Sequence, residues 1–254
     1  MDYIHLSDNA ARQLIDASSI FEEWRRVAAQ AKPLTGGMYW KRRGDYEYLV
    51  RTQPSGAQSR IGARGPETQA AYAAFTTRKA EFEVRLSSLR FALIEAERQN
   101  KALKVGRAPT IVIEILNVMD AAGLARHFTV VGTHALYAYE AAAGVRFSAG
   151  ALATNDVDLL WDARSRVKFV SDMARHDGSM LRLLQRVDHS FIRAEGHPET
   201  AINARGFKVD FLKREPEAGD PHPFSFSGAE DELSPVQARR AAVLTNASRF
   251  SHVV

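Results

Sequence analysis

The 254-residue chain has no cysteine. That excludes disulfides, thiolate metal sites and a cysteine nucleophile. It also lacks any run of 18 apolar residues, so no membrane-spanning helix and no membrane partner are expected. The opening Met1-Asp2-Tyr3-Ile4-His5 lacks the basic-then-apolar form of a signal peptide. With the missing cysteines, this predicts a cytoplasmic protein. Neither Gly-x4-Gly-Lys-Ser/Thr nor Gly-x-Gly-x2-Gly occurs, which argues against P-loop and Rossmann nucleotide sites. His127, His176, His189, His197, His222 and His252 show no ligand spacing such as His-x3-His. Ser190 and Ser234 lack the glycine-flanked elbow of a serine hydrolase. No internal repeat is present.

What remains is the composition of a water-soluble globular chain, 45% hydrophobic and 25% charged. The length allows one large domain or two small ones. The net charge of +4 is uneven. Residues 1–107 hold 18 Lys+Arg against 12 Asp+Glu, a net of +6, and residues 108–254 hold 16 against 18, a net of −2. A positive first half can attract a polyanion.

In chain order, Ser7-Asp8 caps a helix whose apolar face is Leu14, Ala17, Phe21, Trp24 and Ala28, ending near Lys32-Pro33. Met38, Trp40, Tyr46, Tyr48 and Val50 alternate around Gly44-Asp45, which predicts a β-hairpin. Lys41, Arg42, Arg43, Arg60 and Arg64 lie in and beyond it. A basic ribbon interleaved with aromatics can grip phosphates and stack bases, so these five are the expected nucleic-acid or acceptor-binding residues. Gly65-Pro66-Glu67 opens a long helix. Tyr72, Phe75, Phe82, Leu86, Leu89, Leu93, Ala96 and Leu103 form a heptad seam along it, with Lys79 and Asn100 in the two breaks. Such a seam packs against a helix of the same chain or of a partner. Val105 to Pro109 reads as a linker, placing an N-terminal region at 1–107 and a second domain at 108–254.

Thr110 is expected to cap a helix through Ile111, Ile115, Val118, Met119 and Leu124. Phe128-Thr129-Val130-Val131 reads as a buried strand, Gly132-Thr133 as a turn, and His134 to Glu140 as a helix. Thr154 to Trp161 reads as a strand. Its Asp156 and Asp158 share one face, because residues i and i+2 of a strand point the same way. Ala163 to Arg186 reads as helical with a break at Asp177-Gly178, followed by short strands at 189–194 and 201–203. Asp210 sits in the apolar strand Phe207 to Leu212. Glu215 to Glu232 reads as a loop, Ser234-Pro235 as the start of a short helix, and 250–254 as the beginning of a strand.

Two adjacent carboxylates repel unless a cation sits between them. Oxygen ligands suit magnesium, which keeps several waters. Asp156, Asp158 and Asp210 are therefore the expected metal ligands and catalytic residues of a nucleotidyl transfer site binding Mg2+ or Mn2+ and an NTP. Gly132 would let the backbone approach the phosphates, and Thr133 would offer a hydroxyl and N–H at a helix start. Arg146, Lys208 and Lys213 are further expected nucleotide contacts.

This ordered set resembles the nucleotidyltransferase superfamily that shares the DNA polymerase β palm. Gly132 to Glu140 and Thr154 to Asp162 are similar to a bacterial family of uncharacterised nucleotidyltransferase-like proteins, as is Tyr39-Trp40-Lys41 through Gly65-Pro66-Glu67-Thr68. The resemblance implies an α+β fold: a mixed palm sheet flanked by helices, preceded by a helical region with a β-hairpin and one long helix. It implies two-metal transfer of an NMP to a hydroxyl on protein, RNA such as tRNA, or a small molecule, with ATP among the NTPs the motif leaves open. Relatives continue past position 254, so the second domain is expected to be cut short. Thr133 replaces the usual Ser or Gly, and residues 143–150 lengthen the spacing to Asp156. The alternatives are an inactive nucleic-acid-binding module, or the toxin of a toxin–antitoxin or abortive-infection system.

Overall fold

The computed structural model describes residues 2–148, 154–162, 164, 166–175, 178–215, 226–227 and 232–246. They form two compact units. One is Asp8–Val105; the other comprises the described residues of Met1–Ser7 and Gly106–His252. The break at Val105/Gly106 falls inside the linker stretch. The first strand, β1 (Tyr3–His5), belongs to the second unit.

In the first unit, helix α1 (Asp8–Ala31) runs against α2 (Pro66–Leu103). The inward side of α1 carries Ala10, Gln13, Ala17 and Val27, all buried. The α2 seam lies half-buried along it, and α1 occupies the seam. Both polar breaks in the seam are bonded. Asn100 Oδ1 accepts from Gln13 Nε2 at 2.9 Å, and Lys79 Nζ donates to the Gly36 carbonyl at 2.6 Å. A polar residue in an apolar seam is tolerated when its bonds are met. The start of α2 is fixed by Pro66 in the first turn and by Thr68 Oγ1, which accepts from Gly65 N at 2.9 Å.

The expected hairpin forms as β2 (Gly37–Arg43) and β3 (Tyr46–Thr52). A third strand, β4 (Gln58–Ala63), pairs antiparallel with β3. Its sequence, Gln-Ser-Arg-Ile-Gly-Ala, has too little apolar alternation to announce a strand. Trp40 packs on Tyr72 at 5.8 Å, and the Arg51 guanidinium lies 4.5 Å over Phe75, so one face of this sheet rests on α2.

In the second unit, α3 (Thr110–Ala121) begins one residue earlier than a Thr110 cap requires. Pro109 is the capping position, with no side-chain hydrogen bond. Strand β5 (Phe128–Val131) leads into α4 (Ala135–Ala143), β6 (Val145–Phe147) and β7 (Asp156–Trp161). Then follow α5 (Arg166–Met173), α6 (Met180–Gln185), β8 (Ile192–Ala194), β9 (His197–Ile202) and β10 (Lys208–Arg214). The residues after Ser234-Pro235 form strand β11 (Val236–Ala238), paired parallel with β10, before α7 (Ala241–Asn246). The expected helix start there is corrected: ladder bonds to β10 override the local Ser-Pro signal. Most of the expected loop at 215–232 and the expected strand at 250–254 lie outside the described residues.

The main sheet runs β5-β7-β10-β9-β8, with β11 also on β10. It is mixed: β7 and β10 are parallel, while β5/β7, β9/β10 and β8/β9 are antiparallel. Alternation divides its two faces. Phe128, Val130, Val157, Leu159, Trp161, Val209 and Phe211 point to one side, where Phe169 and Phe226 complete an aromatic core with ring centroids 5.2–5.9 Å apart. A one-residue slip would turn every one of these rings outward, so this core locks the register and thereby the face that carries Asp156, Asp158 and Asp210. Buried Glu232 closes the start of α6, accepting from Met180 N at 3.0 Å and Leu181 N at 3.3 Å. No helix among the described residues is long and apolar enough to cross a membrane.

Candidate active site

Three strands assemble the site. β7 supplies Asp156 and Asp158, and β10 supplies Asp210. In the parallel ladder Asp210 stands directly beside Asp158, and Lys208 beside Asp156. On the other edge of β7, Val131 is the ladder partner of Asp158, so the chain leaves β5 beside that carboxylate. The turn Gly132-Thr133-His134 then passes over it. Gly132 has φ +66°, and a Cβ there would sit 2.4 Å from Asp158 Oδ2. Only glycine gives this turn both its left-handed backbone and its close approach to the carboxylate.

Electrostatics reflect the crowding. Burial, then the charges of Asp210 and Asp156, push the Asp158 carboxyl above its ordinary range. Asp210 is held from the opposite side: Thr200, its ladder partner on β9, donates its hydroxyl to Oδ1. His134 is buried, with neither ring nitrogen hydrogen-bonded. Burial pulls its imidazole below the usual value, opposed in part by Asp156. Its ring contacts Tyr137 and Phe207.

Helix α4 begins behind this turn with no side-chain cap. Its far end is tied by Glu140, a buried carboxylate that accepts from Arg107 and from Phe147 N, the latter at 2.5 Å. The lengthened stretch after α4 is partly strand: β6 pairs antiparallel with β1, Val145 opposite His5. Residues 149–153 lie outside the described set. The extra length leaves Gly132 in contact with Asp158.

The other expected nucleotide contacts divide. Lys208 is exposed and shares the carboxylate face. Lys213 is an odd number of residues from Asp210 on an unbroken strand, so alternation turns it to the opposite face, opposite Trp161 in register, where burial lowers its pKa. Arg146 sits on β6 opposite Ile4, in a different sheet from the carboxylates. Arg205, also near Asp210 in sequence, pairs with Asp188 at 3.2 Å. In the first unit, Arg64 pairs with Glu47 and lies 5.2 Å over Trp40, and Arg60 lies 4.7 Å over Tyr48. Thr200 and Glu140 were not expected from the sequence. Thr200 meets Asp210 only through the β9/β10 register, and Glu140 meets Arg107 and Phe147 N only once the chain after α4 has turned back.

Among the described residues, no three His, Cys, Asp or Glu side chains converge closely enough to cage a metal unaided. Magnesium is ordinarily held by one or two carboxylates together with waters and substrate phosphates. An all-oxygen donor set of carboxylates on one sheet face fits that mode.

A family model described as Nucleotidyltransferase matches residues 110–254, more than half of the chain. The chain belongs to this nucleotidyltransferase family. Its mixed sheet flanked by helices is the palm of such enzymes, and the protein is a transferase of nucleotidyl groups. No curated protein and no solved structure matches it.

Proposed function

We propose that this nucleotidyltransferase moves an NMP from an NTP to a hydroxyl acceptor at Asp156, Asp158 and Asp210, using Mg2+ or Mn2+. The observation that carries this reading is the ladder pairing of Asp158 with Asp210 beside the Gly132 turn. Asp156 and Asp158 would hold the divalent ions on the triphosphate side, with Asp210 completing the second. Bound there, the ions would neutralise the phosphate charge that builds up during transfer.

The chain's own groups have distinct tasks. The Gly132-Thr133 backbone offers N–H groups to phosphate oxygens at the start of α4. Lys208, exposed beside Asp156, adds a cation on the same face. Asp210 Oδ1 is engaged by Thr200, which leaves Oδ2 to take the acceptor's proton. The acceptor oxygen forms a bond to the α-phosphorus, the bond from that phosphorus to the bridging oxygen breaks, and pyrophosphate leaves.

Incubation with α-labelled NTPs, ATP first, with either metal and a cell lysate should label a macromolecular or small-molecule product. The Asp156→Ala, Asp158→Ala double variant should give none. Absence of label from the wild-type protein with every NTP and both metals would overturn the reading.

A further inference from the structure

We propose that the outward face of the three-stranded sheet β2-β3-β4 is a binding platform for single-stranded RNA. Ladder partners in an antiparallel sheet share a face. Trp40 pairs with Leu49, Arg42 with Glu47 and Met38 with Arg51, and the contacts of Trp40 and Arg51 with Tyr72 and Phe75 fix that face on α2. The opposite face therefore carries Tyr39, Lys41 and Arg43 from β2, Tyr46, Tyr48 and Val50 from β3, and Arg60 from β4, with Val50 buried between its ladder partners Tyr39 and Arg60. Arg60 stacking on Tyr48, and the Tyr39 hydroxyl donating to Gln58 Oε1 at 3.2 Å, agree with this division.

The division changes the meaning of the basic ribbon. Arg42 and Arg64 belong to the helix side, with Glu47. Glu47 is the one acid in the three strands, and it faces away. The outward face thus has three cations and no carboxylate. Lys41 and Arg43 are exposed and form no ion pair among the described residues. Tyr46 is 75% exposed and Tyr39 37%. Along β3, Tyr46 and Tyr48 stand about 7 Å apart, two residues of strand. Cations to meet phosphates, alternating with rings to meet bases, are the two components of single-strand recognition.

The platform selects among nucleic acids by shape. A three-stranded face is too broad for a groove, and rings can stack only on bases already unpaired. The Gln58 amide and the tyrosine hydroxyls offer donors and acceptors to a ribose 2′-hydroxyl. The surface lies wholly within Asp8–Val105, and RNA binding here does not depend on the nucleotidyl transfer reading.

The test is fluorescence anisotropy of the full-length chain with a short labelled oligoribonucleotide, without NTP or metal. Binding should weaken with salt at a log–log slope of about −2, as expected for three phosphate contacts on a single strand. Single-stranded DNA of the same sequence and an RNA duplex should bind more weakly. Tyr46→Ala should weaken binding about tenfold. Arg43→Ala should lower the slope to about −1.4. Arg98→Ala, which removes an equal charge from the exposed side of α2, should leave binding unchanged. No binding at low salt, equal affinity for the DNA strand or the duplex, or an unaltered affinity of Tyr46→Ala would each overturn the proposal.

Discussion

Gly132 and Asp158 are packed so closely that the absent side chain of one makes room for the carboxylate of the other, a Cβ at position 132 falling 2.4 Å from Asp158 Oδ2. Gly132→Ala therefore does two things. It puts a β-carbon on a left-handed backbone, at about 1–2 kcal/mol, and it forces Asp158 to rotate away from Asp210. A displacement of about 1 Å at a reacting group can cost about 100-fold in rate. Nucleotidyl transfer should fall by that order while the chain stays folded by circular dichroism. A variant within a few-fold of wild type would show that the contact is not part of the site.

Asp158 should also trade stability for function. Its folded pKa lies above the ordinary 3.8, chiefly through burial and then through Asp210 and Asp156. The folded chain thus holds a proton over a pH window in which the unfolded chain has lost it. Stability attributable to this group is full below the unfolded value and is lost as pH rises through the folded one. Asp158→Asn removes that loss. In chelator, its Tm should exceed wild type at neutral pH, and the two should converge in acid. A difference that does not change with pH would contradict the crowding of the three carboxylates.

The sequence made some of this site legible and hid the rest, for identifiable reasons. Asp156 and Asp158 could be paired because strand alternation is a local rule needing no partner. The α2 seam was readable for the same reason, as local periodicity. Thr200 could not be found, since its bond to Asp210 depends on which residue of β9 lands opposite β10. β6 has no local signature, because its partner, β1, lies about 140 residues away in the chain. Lys213 and Arg64 were grouped with the functional cations by nearness in sequence, yet strand parity and an ion pair with Glu47 assign them elsewhere.

The Thr200 hydroxyl positions Asp210 rather than reacting. Thr200→Val keeps the shape of a buried side chain and deletes the donor. A lost hydrogen bond to a charged acceptor is worth about 1.5–3 kcal/mol. Transfer should drop about tenfold or more in kcat with little change in the KM for NTP, and Thr200→Ser should restore most of it. Failure of Ser to rescue would assign Thr200 a packing role only.

His134 presents the opposite pH sign to Asp158. Its imidazole is buried with both nitrogens unbonded, and its folded pKa is lowered from 6.5. In the window just below that value the unfolded chain takes up a proton that the folded chain refuses, so stability falls as pH drops. Asp156 faces the ring and reduces the effect without reversing it. His134→Leu removes two unsatisfied polar atoms and leaves a side chain able to contact Tyr137 and Phe207, so its stability at neutral pH should equal or exceed wild type. Its Tm should also decline less between neutral pH and mild acid. The ring lies next to Thr133, where a phosphate oxygen would be received, and its N–H would donate to that oxygen. Loss of it should raise the KM for NTP about tenfold, the cost of one hydrogen bond to a charged group. A His134→Leu chain that keeps the wild-type acid response would show that the imidazole is solvated in the folded protein, and an unchanged KM would remove it from the nucleotide's contacts.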